Sequence, residues 1–136
     1  MSTPPIRVMV VDEHGMVRKG IIAYLKNDPD VSVIGEAENG REAVELCERV
    51  EPDVILMDLQ MPEMDGFTAI RVIHRQFPRI RIIALTSFSD RDKVQDALAA
   101  GAISYLLKNV SPNELAAAIR AAHAGRPTPA GETAET

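Results

Sequence analysis

Apolar residues gather in five short runs along this chain: 6–11 (IRVMVV), 31–35 (VSVIG), 54–57 (VILM), 81–85 (RIIAL) and 102–106 (AISYL). Runs this short, nearly continuous and rich in β-branched residues predict strands buried on both faces of a parallel sheet. Between them apolar positions recur every three or four residues, the period of a helix. The first helix is expected over 16–26 with Val17, Ile21 and Leu25 inward, and the second behind Asn39, which stands at capping-box spacing from Glu42. The third is expected over 66–76, with Phe67, Ile70 and Ile73 on one face and Pro78 as its stop. A fourth, over 91–100, places Val94, Ala97 and Leu98 inward and ends at Gly101. Ser111, Pro112 and Glu114 signal the start of the last helix, and Gly125 lies past its end.

Strand and helix thus alternate five times, which predicts an α/β domain with right-handed crossovers onto a parallel sheet. Ligands of such sheets bind beyond the carboxyl ends of the strands. Those ends carry the polar residues of interest. The first strand delivers Asp12 and Glu13, the third Asp58, the fourth Thr86 and Ser87, and the fifth Tyr105 and then Lys108. Each alone has an ordinary explanation as a helix cap, a surface lysine or a core aromatic. Together on one edge they do not: carboxylates facing one crevice repel, and a hard divalent cation such as Mg²⁺ is what such oxygens hold. A lysine, a hydroxyl and a carboxylate nucleophile beside it complete a site for phosphoryl transfer.

Composition narrows the function classes. With 136 residues, 46% hydrophobic and 26% charged, the chain has the makings of one core and is not disordered throughout. A net charge of −5 has the wrong sign for binding DNA unaided. The lone Cys47 sits among Ala43, Val44 and Leu46 and reads as a buried thiol, so nothing points to an oxidising compartment. No apolar run reaches the length of a membrane span and residues 1–4 lack the features of a signal peptide, so a cytoplasmic location is expected, with no membrane partner. Residues 126–136 lack periodicity and are expected to be a flexible linker or tail, as are residues 1–4 at the other end. A linker leading nowhere raises the expectation that the natural protein continues past it. Gly35 to Gly40 has phosphate-loop spacing, but Arg41 and Glu42 follow where Lys and Ser or Thr are required, which excludes a nucleotide triphosphate loop. His14, His74 and His123 share no metal-ligand spacing, and His14 is expected to be an exposed loop imidazole.

The stretches VMVVDEHGMVRKGI, DVILMDLQMPEMDGFTAIR, IIALTSF and GAISYLLKNVSPNEL resemble the receiver domain of two-component response regulators. The resemblance covers residues 5–125, and its wording is closest to the NarL/LuxR-type subfamily, whose receivers are joined to a helix-turn-helix domain. It implies a flavodoxin-like (βα)5 three-layer sandwich with five parallel strands in the order 2-1-3-4-5. It further implies that Asp58 is the phosphoacceptor and that Mg²⁺ is held by Asp12, Glu13, Asp58 and the backbone carbonyl of Gln60. By the same resemblance Thr86 bonds the phosphoryl group on activation, Tyr105 turns after it, and Lys108 pairs with the phosphoryl oxygens. The partner implied is a sensor histidine kinase, with DNA reached only through an effector domain outside this chain. The chain is then a signalling switch that assists its own phosphorylation and dephosphorylation rather than an enzyme.

Departures from the family's pattern are Glu13 for a second Asp and Asn109 where many receivers have a proline after a cis bond. A cis bond here costs about 3–4 kcal/mol without proline. Met61 and Pro62 are expected to shape the loop after the phosphoacceptor, Gly66 to relieve the turn into the third helix, and Gln60 and Phe88 to flank the entrance. Ala116, Ala117, Ala118, Ala121 and Ala122 permit close approach to a second copy and raise the expectation of a homodimer on phosphorylation, although helix propensity alone also accounts for them. Two other classes compete: a receiver that acts through protein contacts without phosphorylation, and an aspartate-nucleophile phosphatase of the haloacid dehalogenase kind. The phosphatase needs a second Asp two residues after the nucleophile, where this chain has Gln60.

Overall fold

The computed structural model describes residues 4–61, 64–87 and 93–126. Its elements alternate as expected: β1 (Ile6–Val11), α1 (Gly15–Lys26), β2 (Val31–Ala37), α2 (Gly40–Val50), β3 (Val54–Asp58), α3 (Gly66–Gln76), β4 (Arg81–Thr86), α4 (Val94–Ala100), β5 (Ser104–Leu107) and α5 (Pro112–His123). The strands form one sheet in the order β2-β1-β3-β4-β5, every neighbouring pair parallel.

Alternation along each central strand explains why both faces are filled. Met9, Val11, Ile55, Met57, Ile82 and Ala84 point to one side, where Ala43, Cys47, Ala69, Ile70, Ile73, Ala97 and Ala100 of α2, α3 and α4 cover them. Val8, Val10, Val54, Leu56, Ile83 and Leu85 point to the other, under Ile21 and Leu25 of α1 and Leu115, Ala118, Ile119 and Ala122 of α5. A strand buried twice needs apolar residues at consecutive positions, which is the pattern that marked these runs. Burial pushes the Cys47 thiol up to about 12, consistent with an inert core residue.

The caps read at Asn39 and Ser111 are present, and the structure adds one at Asp65. The side chains of Asn39, Asp65 and Ser111 accept from the backbone N–H groups of Glu42, Thr68 and Glu114. Strand ends differ for local reasons. β2 continues to Ala37 because Glu36 and Ala37 pair with Val10 and Val11, and a polar residue on an edge strand does not show in an apolar pattern. β5 begins at Ser104 because the amide of Ala102 is spent on the Ala97 carbonyl at the end of α4. The expected start of the fourth helix at Arg91 lies outside the described residues. Leu98, expected inward, is 36% exposed: α4 is turned so that Val94, Ala97 and Ala100 meet the sheet, the two alanines allowing close approach.

Candidate phosphoacceptor site

Parallel register brings the polar residues together. Val11 pairs with Met57 in adjacent strands, so Asp12 and Asp58, one step further on, are neighbours at the carboxyl edge. Thr86 ends β4 and pairs with Leu107, and the amide of Lys108 donates to the Thr86 carbonyl at 2.9 Å, which fixes the root of the lysine beside them. Asp12, Asp58 and Thr86 are buried, the two carboxylates at 0% and 1% exposure.

Lys108 Nζ lies 3.1 Å from Asp58 Oδ2 and 3.3 Å from Asp12 Oδ2. Both oxygens are buried, and the Lys108 ammonium is the partner that the described residues offer them. The outer oxygens are better satisfied. Asp58 Oδ1 accepts from the Gln60 backbone N–H at 3.2 Å, and Asp12 Oδ1 accepts from the His14 backbone N–H at 2.8 Å. Burial, followed by repulsion from Asp12, pushes the Asp58 carboxyl up to about 6 against the pull of Lys108. Burial pushes the Lys108 ammonium down, but attraction to Asp58 and then Asp12 outweighs it and leaves the ammonium above its ordinary value. The lysine stays charged because the carboxylates hold it so.

Two buried anionic carboxylates that share one ammonium leave negative charge that fits a small hard cation. Asp12, His14 and Asp58 each offer a ligand atom, all within 4.8 Å of one another. Glu13, expected beside Asp12 as a metal ligand, is exposed and stands outside that group, while His14 is inside it. The imidazole is 60% exposed, as expected, yet its Nδ1 lies 3.2 Å from Asp12 Oδ1. Thr86 Oγ1 donates to the Ser87 carbonyl at 3.3 Å, and Tyr105 packs half-buried against the core on the α2–α3–α4 side. No described peptide bond is cis, so Lys108–Asn109 is trans. Pro62 and Phe88 lie outside the described residues.

Gly66 relieves the turn into α3, as expected, and does so through close backbone approach. It does not supply a left-handed turn; a Cβ there would stand 2.3 Å from the Asp58 carbonyl oxygen and 2.7 Å from Leu59 Cα. The glycine is needed because α3 starts against the backbone that carries the phosphoacceptor. Gly40 is likewise no phosphate loop, since its amide donates to the Met64 carbonyl.

Arg18 is the residue that sequence reading missed. Although charged, it is 8% exposed; Nη1 donates to the Asp12 carbonyl at 2.7 Å and Nε to Glu36 Oε1 at 2.6 Å. It ties the turn after β1 to the edge strand β2. A signal existed, because Arg18, Ile21 and Leu25 form one stripe of α1, and an arginine within a buried stripe needs fixed acceptors.

This geometry matches a known group. Residues 8–120 match the family model of the response regulator receiver domain. The chain belongs to the response regulator receiver family. It is 52% identical over 122 residues to the transcriptional regulatory protein LiaR of Bacillus subtilis, covering 90% of this chain and 58% of that protein. To the response regulator protein VraR of Staphylococcus aureus it is 44% identical over 115 residues, covering 85% of this chain and 55% of that protein. The chain therefore spans little more than half the length of these curated relatives. Among solved structures it is similar to the receiver domain of the putative response regulator NarL of Mycobacterium tuberculosis, with TM-score 0.85, 33% identity, and coverage of 91% of this chain and 100% of that one. A LuxR-family response regulator from Aurantimonas gives TM-score 0.86 at 34% identity, covering 95% and 94%. The receiver fold and the NarL/LuxR-type resemblance are thereby borne out. No helix among the described residues is long and apolar enough to cross a membrane.

Proposed function

We propose that this receiver is a phosphorylation switch, in which a sensor histidine kinase passes a phosphoryl group from phosphohistidine to the carboxylate of Asp58. The carrying observation is the buried Asp58 carboxylate with an oxygen paired to Lys108 Nζ at 3.1 Å. An Asp58 oxygen attacks phosphorus, the O–P bond forms, the N–P bond breaks, and the imidazole keeps the bonding pair. Lys108 can follow the developing charge from the carboxylates to the phosphoryl oxygens, and the Thr86 hydroxyl, spent only on a long bond to Ser87, can donate to one of them. Asp12 and Asp58 would hold Mg²⁺, with the Gln60 carbonyl and Glu13 as the further ligands that the resemblance implies; the ion supplies charge neutralisation on the phosphoryl oxygens. Phosphorylation adds charge and acceptors at one edge of the sheet, so a shift of Thr86 toward it and of Tyr105 behind it would change the α4–β5–α5 face. Residues 5–125 form the switch and residues 126–136 the linker to a helix-turn-helix domain. Output through transcription is the reading that the name of LiaR, a transcriptional regulatory protein, supports, and a homodimer on phosphorylation through the alanine-rich face of α5 is part of the same proposal. Gln60, in place of a second Asp, argues against phosphatase turnover.

Intact-protein mass after incubation with acetyl phosphate and Mg²⁺ tests this. One phosphoryl adduct is expected, absent without Mg²⁺ and absent in Asp58→Asn. No adduct in wild type, together with no beryllofluoride binding, would leave the contact-only reading.

Arg18→Met offers a second test of the same pocket. Side chains that orient metal ligands typically contribute about 10–100-fold to affinity, and Arg18 holds the carbonyl of Asp12. The variant is expected to bind Mg²⁺ at least about tenfold more weakly in calorimetric titration, with labelling recovered at high Mg²⁺. Equal affinities would reduce Arg18 to a packing role.

A further inference from the structure

The imidazole at the mouth of the pocket adds a nitrogen donor to what is otherwise an oxygen site. We propose that His14 is a third ligand for borderline divalent cations, Zn²⁺ and Co²⁺ in particular, which take the pocket in competition with Mg²⁺. The inference rests on the reading of the acidic pocket as a cation site and goes beyond it in metal class.

Two observations carry it. His14 Nδ1 is 3.2 Å from Asp12 Oδ1, and Asp12, His14 and Asp58 each offer one ligand atom within 4.8 Å of the others. Atoms sharing one ion at about 2.0–2.2 Å sit roughly 3–4 Å apart, so only small movements bring all three to one ion. Independently, Asp12 Oδ2 and Asp58 Oδ2, on residues 0% and 1% exposed, accept no hydrogen bond of ordinary geometry and share a single ammonium, that of Lys108, so two buried anionic oxygens face one cation. The ring is also placed by the backbone. The His14 N–H donates to Asp12 Oδ1 and the His14 carbonyl accepts from Arg18 N–H at the first turn of α1. With its ring 60% exposed, His14 can exchange water for metal without disturbing the core.

Ligand chemistry separates the metals. Mg²⁺ takes oxygen ligands and gains little from an imidazole, whereas Zn²⁺ and Co²⁺ gain strongly from one. His14 therefore tightens binding of one class and not the other. A four-coordinate cation held by Asp12, Asp58 and His14 has fewer positions left for the oxygens of an incoming phosphoryl group than Mg²⁺ held by oxygens alone, so the pocket doubles as a metal-responsive brake on the switch.

Co²⁺ titration of the full chain, followed by visible absorption, with Mg²⁺ titration by calorimetry, tests this in wild type, His14→Ala and His14→Gln. Both variants are expected to lose at least about tenfold in Co²⁺ affinity and the absorption change of a nitrogen ligand, with Mg²⁺ affinity held within about twofold. Zn²⁺ is expected to suppress acetyl phosphate labelling in Mg²⁺ buffer for wild type more than for the variants. Equal Co²⁺ affinities with normal Mg²⁺ binding overturn the role of His14 and leave the Mg²⁺ pocket standing. Failure of wild type to bind either ion overturns both.

Discussion

Asp58→Asn is expected to raise the melting temperature of the metal-free protein at pH 7. The folded protein holds the Asp58 carboxyl up at about 6 against an ordinary 3.8, burial being the main cause and Asp12 the next. A folded value above the unfolded one means that ionising this group works against the fold. Below about pH 4 both states are protonated and nothing is lost. As pH rises from 4 to 6 the unfolded chain ionises first, and stability falls until the folded carboxyl ionises too; above 6 the cost is constant. Two units or so correspond to about 3 kcal/mol, an upper bound because the neighbours relax. The neutral amide removes that cost, while Lys108 keeps Asp12 as a partner. Thermal melts with chelator should show the variant ahead of wild type by several degrees above pH 6 and level with it below pH 4. Addition of Mg²⁺ should close the gap by binding wild type alone. A variant no more stable than wild type at pH 7 would mean that Lys108 compensates the buried charge fully.

Gly66→Ala is expected to cost about 3 kcal/mol or more, at the upper end for forcing extra atoms into a packed interior. The obstacle is backbone: the new methyl meets the Asp58 carbonyl oxygen at 2.3 Å and Leu59 Cα at 2.7 Å, and neither can swing away as a side chain would. Either α3 lifts from the sheet or the Asp58 peptide moves. Acetyl phosphate labelling should therefore slow even at temperatures where circular dichroism shows the variant folded. Gly20→Ala is the matched control, since Gly20 lies within α1 and its Cβ meets nothing within 4 Å. There alanine should stabilise by about 0.5–1 kcal/mol through helix propensity. Wild-type stability and labelling in Gly66→Ala would show that the loop yields without cost.

Both outcomes depend on distances that no local pattern reveals, and this divides what was legible from what was not. The sequence by itself determined the five strands, the alternation that buries both faces of the sheet, and the capping residues Asn39 and Ser111. It also determined that Asp12, Asp58, Thr86 and Lys108 leave the strands at one edge, because parallel strands joined by helices all end on the same side. Tertiary structure decided the rest. Arg18 beneath Asp12 depends on Glu36 of β2 lying within reach, and Gly66 on α3 starting against the Asp58 backbone. Exposure of Leu98 follows from how α4 is turned, and the contact of His14 with Asp12 from the path of the turn after β1. The strands and caps are written in neighbours one to four residues apart, whereas these four features are set by how helices and turns seat on a finished sheet, a matter of ångströms between separate elements.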